Sequence, residues 1–429
     1  MVRLRHAFRI DADKCDGRMS CMRACPTHAI RVKNGKARVI SELCIDCGLC
    51  LGVCELGAIS AETIDFAELD RYKFKVAVAS PALFTQFGLR ETPADVGRAL
   101  LELGFDAVWE YAVDLALIDR AVTDFVKKWS GPFPLISSSC PVVVRLIQVS
   151  YPSLVDHVIP LEAPREIAAR ELKRKYSQKL GLKPEEIAAI YITPCQAKAI
   201  SIIQPAEEAK SYLDGALGIS EIYNGLLTKM RKAARPGDAP KDLVNAAGLM
   251  HWGAAEEEVP ALSREHFLPL TGLTDIMKVF NDVEKGRIRG IEFLECNACQ
   301  GGCIGGNLMV ENLYAARSKN LHLMDSMPEP DPEFEKEVDR RYAQEDFFLR
   351  GSLKPRQTEG EAIDLRERVR RRKKAEEVLR VLPQLNCGLC GAPKCRNHAG
   401  DVAASRADLN DCVFLSPDRI QALGKLYKK

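Results

Sequence analysis

A chain of 429 residues has room for several domains and a large core. Its 61 basic and 59 acidic side chains nearly cancel, leaving +2, so charge gives no reason to expect a nucleic-acid partner. The N-terminus lacks an apolar signal core and no apolar run is long enough to span a bilayer, so no membrane partner and a cytoplasmic location are expected.

In that setting the sixteen cysteines point to metal ligands rather than disulfides. Most sit in tight groups beside Gly, Pro or Asp. The first 68 residues hold two runs. Cys44, Cys47, Cys50 and Cys54 follow the spacing of a two-cluster ferredoxin, in which the fourth cysteine of each run serves the other cluster. The earlier run, Cys15, Cys21 and Cys25, is incomplete, because Arg18 stands where another cysteine belongs. Crossing over gives one cluster on Cys25, Cys44, Cys47 and Cys50. Cys15, Cys21 and Cys54 remain for a [3Fe–4S] cluster, for a [4Fe–4S] cluster completed by Asp16 or water, or for no cluster. Between the runs, Asn34-Gly35 predicts a hairpin over residues 29–40.

Residues 69–325 predict an α/β domain built on a largely parallel sheet. Strands are expected at 74–79, 105–109, 133–136 and 187–192. Thr92-Pro93 predicts a capped helix ending at Gly104, and residues 114–129 and 142–149 are helical by spacing. In parallel sheets ligands sit beyond the carboxyl ends of strands. Cys140, Cys195 and the group Cys296, Cys299 and Cys303 all fall there, the last among glycines that let backbone approach a bulky cofactor. One shared metal site is therefore expected. Lys198, three residues after Cys195, either offers it a cation or is a solvated helix residue.

Residues 326–380 predict a charged linker wrapping the surface, then a helix over 365–382 whose basic run 370–374 looks like a docking patch but reads better as a solvated face. Residues 381–429 carry Cys387, Cys390, Cys395 and Cys412, a set that suits a [4Fe–4S] cluster or zinc. His398 lies nearby and could tune or replace a ligand, but is expected at the surface.

These motifs resemble the [FeFe]-hydrogenases. The resemblance rests on Ser-Ser-Cys140-Pro, Pro194-Cys195-x-x-Lys198 and Glu295-Cys-Asn-Ala-Cys299-x3-Cys303-x-Gly-Gly. It implies an H-cluster: a [4Fe–4S] cube on Cys140, Cys195, Cys299 and Cys303, bridged by Cys303 to a diiron unit with CO, cyanide and a bridging dithiolate. Lys198 would contact a diiron cyanide. Pro81, Ala82, Thr193, Pro194 and Asn297 would line the pocket, and Cys296 has no assigned role. The implied architecture is α/β and multidomain: a ferredoxin-like module (1–68), a hydrogenase-like domain (69–325), the linker and helix, and a small C-terminal Fe–S module similar to those of sensory members. H2 and protons, a redox or signalling protein and diiron-cluster maturation proteins are the implied partners. Fast members place a proton-relaying cysteine where Ser139 stands. Arg120, Thr123 and Ile159 fall at later relay positions, and Arg165 replaces a pocket glutamine. The resemblance thus implies slow, reversible hydrogen chemistry with a sensing role, with electrons leaving through the accessory clusters. A catalyst with another proton route and a non-catalytic Fe–S assembly scaffold are the alternatives.

Overall fold

The computed structural model describes residues 5–109, 111–206, 210–232, 252–253, 266–326, 330–356 and 364–415. Residues 327–329 of the expected linker and 416–429 of the expected C-terminal module lie outside them. The chain divides into two compact units, one of residues 1–61 with 355–429 and one of residues 62–354.

The first unit opens with β1 (Phe8–Ile10), α1 (Ser20–Ala24), β2 (Ile30–Lys33), β3 (Lys36–Val39), α2 (Leu49–Gly52) and β4 (Ile59–Ala61). β1 pairs antiparallel with β4, and β2 with β3. Asn34 and Gly35 both take positive φ, as a two-residue hairpin turn demands. A small core of Phe8, Met22, Ile30, Val32 and Ile59 holds these elements.

The second unit contains two parallel sheets rather than one. β5 (Phe74–Ala79) carries α3 (Pro81–Phe84) and α4 (Pro93–Leu103) after it, and β6 (Ala107–Val108) is followed by α5 (Ala112–Lys128). Next come β7 (Leu135–Ile136) with α6 (Pro141–Ser150), α7 (Pro164–Leu180), β8 (Ile187–Thr193) with α8 (Gln196–Ile203), and β9 (Gly215–Gly218) with α9 (Ile219–Lys232). β10 (Phe267–Thr271), α10 (Leu273–Glu284), β11 (Phe293–Asn297), α11 (Leu313–Ser326) and α12 (Pro332–Tyr342) complete it. The sheets run β6-β5-β8-β9 and β10-β11-β7. β8 is buried along its whole length and unbroken in apolar character save Tyr191 and Thr193, as a central parallel strand must be. The Thr92 cap closes a reciprocal box with Asp95, and Gly104 ends α4 at φ 116°.

The linker expectation fails at α12. Phe334, Val338 and Arg341 are buried, because the helix lays one face against α5. Arg341 donates to the fully buried Asp114 at 2.6 Å, and Trp109 Nε1 donates to the other carboxylate oxygen at 2.8 Å. Charge content concealed this: an Arg that neutralises a buried carboxylate counts as polar in sequence, yet belongs to the interior.

In the C-terminal part of the first unit, α13 (Leu365–Val381) packs on α14 (Cys395–Ala403). Arg370, Arg371 and Arg372 pair with Glu367 and Glu376 on the same helix, as a solvated face does. This part joins the N-terminal part directly. The Val32 N–H donates to Gly391 O at 2.9 Å, Arg31 pairs with Asp401, and Lys33 with Asp411 at 3.1 Å. A Cβ on Gly391 would lie 1.9 Å from Val32 O, so only glycine fits there.

Candidate metal centres

In the second unit, three strand ends deliver thiols. β8 stops at Thr193, and Cys195 is the N-cap residue of α8. The Cys195 N–H donates to Thr193 Oγ1 at 3.3 Å, which in turn donates to Cys195 O at 2.9 Å, fixing the turn around Pro194. Beyond β7, Cys140 is the N-cap residue of α6, with Pro141 in the first helical turn. The serines before it are tied down, Ser138 Oγ donating to Leu161 O at 2.8 Å and the Ser139 N–H to Ser137 Oγ at 3.3 Å. Beyond β11, Cys299 and Cys303 lie in a loop that turns at Gly301 and Gly302, both at positive φ.

These loops are locked to one another. Leu308 N–H donates to Pro194 O at 3.0 Å, and a Cβ on Gly306 would lie 2.4 Å from that oxygen. The Ala298 N–H points at the Cys140 thiol. Ala82, just after Pro81 at the end of β5, packs with Ile304 and Cys303. Asn297 closes β11, its carbonyl accepting from Gly272 N–H at 3.0 Å.

Lys198, half-buried on α8, reaches Cys303 Sγ at 3.2 Å and lies over the Tyr191 ring at 5.8 Å. Burial pulls its ammonium down, but the charges of Cys303, Tyr191 and Cys195 outweigh this and hold it above the ordinary lysine value. Lys198 thus lies against the thiol group rather than standing as a solvated helix lysine. Burial pushes Cys195 up to about 11, against the pull of Lys198. Burial also raises Cys140 and Cys299, and the Cys303 charge adds to both. Thiols gathered from three strand ends beside a lysine form a donor set that fits a thiolate-bound metal centre.

Two residues here, Tyr111 and Tyr191, escape sequence reasoning. Tyr111 and Tyr191 meet edge to face at 6.3 Å, and burial, then Tyr191, drives the Tyr111 hydroxyl well above the ordinary tyrosine value. Arg165 donates to Ser201 at 3.2 Å and its charge bears on both Tyr111 and Lys198. Only the register of β8 could have placed Tyr191; Tyr111 comes from a remote element, and Arg165 stands at the expected pocket position. Cys296 is buried in β11, burial and then Cys140 raising its thiol. Of the relay positions, Arg120 pairs with Asp339 and stacks on Tyr342 at 4.2 Å, Thr123 Oγ1 donates to Asp119 O at 2.9 Å, and Ile159 is a buried core residue.

The first unit holds three more thiol groups. Burial, then the Cys15 and Cys54 charges, raises Cys21, and these three line one cavity with Arg18 and Glu55. Burial brings Cys47 to about 12, with Cys25 adding to it, and raises Cys50, with Cys47 and Cys25 adding. Asp46, buried at positive φ, accepts from Ala7 N–H at 2.9 Å and lies 3.8 Å from the Cys44 thiol. Asp16 is engaged elsewhere: it accepts from Arg18 Nε at 2.8 Å, while Arg18 Nη1 reaches Glu55 at 2.9 Å.

Cys387, Cys390, Cys395 and Cys412 line a single cavity in the C-terminal part. Gln384, Asn386, Gly388 and Gly391 all take positive φ, and Asn386 Oδ1 accepts from Cys395 N–H at 2.9 Å, so the ligand loop is held in shape. The expectation of a surface His398 is wrong. It is 1% exposed and lines the same cavity, because α14 sets it one turn from Cys395. Among the described residues, no helix is long and apolar enough to cross a membrane.

The family described as iron only hydrogenase large subunit, C-terminal domain, matches residues 73–235 and 238–307. A 4Fe-4S dicluster domain matches residues 7–55 and an Fe–S cluster family residues 382–414. Iron hydrogenase 1 of Clostridium pasteurianum is 29% identical over 154 residues, 35% of this chain and 26% of its own length. The NADP-reducing hydrogenase subunit HndD of Solidesulfovibrio fructosivorans is 24% identical over 324 residues, 62% of this chain and 55% of its own. The chain thus spans about half or less of these two relatives. A cytosolic Fe–S cluster assembly factor of Drosophila mojavensis is 22% identical over 306 residues, 58% of this chain and 64% of its own. Two variants of the [FeFe]-hydrogenase HydA1 from Chlamydomonas reinhardtii share the fold at 18% identity, with TM-scores of 0.50 and 0.51. They cover 66% and 67% of this chain and 95% and 97% of theirs.

Proposed function

Because the chain belongs to the iron-only hydrogenase large-subunit family and carries Fe–S cluster domains on either side of that region, we propose that it is a low-turnover [FeFe]-hydrogenase that reports hydrogen or redox state to a protein partner. The observation that carries this reading is the convergence of three thiol loops on Lys198, combined with side chains unsuited to proton relay along the expected exit. Cys140, Cys195, Cys299 and Cys303 would hold the cube of an H-cluster, with Cys303 as its bridge. When bound, that group supplies the reversible splitting of hydrogen into protons and electrons.

The chain's own residues do the rest. Lys198 sets a fixed positive charge against Cys303, where an anionic group would otherwise be costly to bury. Thr193 fixes the Cys195 turn, and Pro81, Ala82, Pro194 and Asn297 close the walls. Ser139 offers a hydroxyl, a poor acid for moving a proton at neutral pH. Arg120 holds its proton at any physiological pH and is occupied by Asp339. Ile159 has no group to pass one on. Cys25, Cys44, Cys47 and Cys50, the trio Cys15, Cys21 and Cys54, and the C-terminal four would hold accessory clusters, the trio's being [3Fe–4S] or completed by a non-cysteine ligand. Hydrogen and protons are the proposed reactants, and maturation proteins would supply the diiron unit.

The similarity to an Fe–S assembly factor favours one second reading, a scaffold holding cubes alone. Infrared spectra of anaerobic protein matured with a diiron precursor decide between them. Bands of iron-bound CO and cyanide are expected; their absence in iron-loaded protein would leave the scaffold.

A further inference from the structure

His398 presents a problem that the rest of the first unit does not answer. It is 1% exposed, and neither Nδ1 nor Nε2 has a hydrogen-bond partner among the described residues. A neutral imidazole carries one donor and one acceptor, and leaving both unmet in an interior costs about 1–3 kcal/mol each. The ring lines the cavity formed by Cys387, Cys390, Cys395 and Cys412. Cys395 opens α14 and His398 follows three residues later, so both project from one face of the helix. The charged groups around the ring are Asp411, Asp401, Lys33 and Arg31. Their own pairs already engage them: Arg31 with Asp401, and Lys33 with Asp411. The cavity beside the ring is lined by the four thiols, by Lys394 and by apolar side chains.

We propose that His398 is a positioning residue that donates its ring N–H to a sulfur of an Fe–S cluster on Cys387, Cys390, Cys395 and Cys412, and thereby raises that cluster's reduction potential. The inference rests on reading these four thiols as an Fe–S site. Four thiolates already complete the ligand set of a cube, so the imidazole acts as a fifth group outside the iron coordination. The ring N–H stabilises the more negative, reduced cluster more than the oxidised one, because a hydrogen bond strengthens with the charge on its acceptor. Hydrogen bonds to cluster sulfurs are among the levers that set such potentials.

The test uses the full chain, reconstituted anaerobically, with the C-terminal cluster's EPR signal identified by its loss in Cys390→Ser. Potentiometric titration is then read in the parent, in His398→Leu and in His398→Gln, which keeps an N–H donor. The signal in His398→Leu should move to more negative potential, by roughly tenfold in the reduced-to-oxidised ratio, or about 59 mV for one electron. His398→Gln should recover part of the shift. In protein labelled with 15N-histidine, a weak nitrogen coupling to the reduced cluster is expected and should vanish in His398→Leu. A strong coupling typical of a directly bound nitrogen would overturn the proposal, as would an unmoved potential in a fully loaded His398→Leu. Zinc in place of iron at these thiols would overturn the Fe–S reading itself, and metal analysis separates that outcome from the other two.

Discussion

Two of the thiol sites hold a cation by opposite means. In the hydrogenase-like unit, Lys198 leans on Cys303 and is walled in by three loops that touch one another. Around Cys15, Cys21 and Cys54, Arg18 is 52% exposed and paired with the carboxylates of Asp16 and Glu55. A cation that must act on a cofactor is buried against it. A cation that merely occupies a vacated ligand position is discharged at the surface by carboxylates, where ion pairs contribute little. The same contrast extends to the neighbouring charges, since Asp114 and Arg341 are sealed in the interior while Asp16 and Glu55 are open to water.

The strongest way to break the comparison is through the rate. If the walled site lacks a proton exit, hydrogen uptake and evolution with an artificial electron carrier should fall on the order of 100- to 10,000-fold below those of fast relatives. Ser139→Cys should restore only part of this, because Arg120, Thr123 and Ile159 stay in place. Fast turnover by the parent protein, with occupancy confirmed in the infrared, would show a proton route other than the one considered.

Next in size is the buried pair. Arg341→Met strands Asp114 in a position without water, and should cost roughly 3–5 kcal/mol of stability in denaturant unfolding. A loss under about 1 kcal/mol would mean that the carboxylate finds another partner or takes up a proton at little cost.

Arg31→Met tests the corresponding pair in the first unit. Asp401 keeps Arg406 at 3.1 Å as a second partner, so the loss should be smaller, about 1–3 kcal/mol. Proteolysis of residues 364–415 read against the N-terminal part would reveal whether the two come apart together.

The smallest effect belongs to Arg18. Arg18→Ala should change stability by under about 1 kcal/mol, since both its pairs are exposed. Arg18→Cys should alter spectroscopy rather than stability, converting the EPR signal of the site at Cys15, Cys21 and Cys54 toward that of an ordinary four-cysteine cube. An ordinary cube already present in the parent would mean the thiols pair differently.

What could be read from the sequence follows the same line between near and far. The hairpin at Asn34-Gly35, the Thr92–Asp95 box and the arrival of Cys140 and Cys195 at helix starts were all legible, since each is decided within a few residues. The splitting of one expected sheet into two was not. Strand order depends on which edges meet, and β7 lies beside β11 although more than 150 residues separate them. Arg341 and His398 were misplaced for one reason: composition treats a charged or polar side chain as a surface residue, and only its partners show otherwise. Tyr111 carries no motif, and only the assembled fold brings it against Tyr191.

The bond between Val32 N–H and Gly391 O has a consequence in time. The N-terminal thiol runs leave the ribosome long before the segment that covers them. At synthesis rates of roughly 5–20 residues per second, the gap amounts to tens of seconds. Through that interval the amide of Val32 faces water, and β2 lacks its final neighbour. The N-terminal part of this unit is thus finished only after residue 391 has been made. Any factor that loads or guards its thiols has a window that closes only once the segment around Gly391 has emerged.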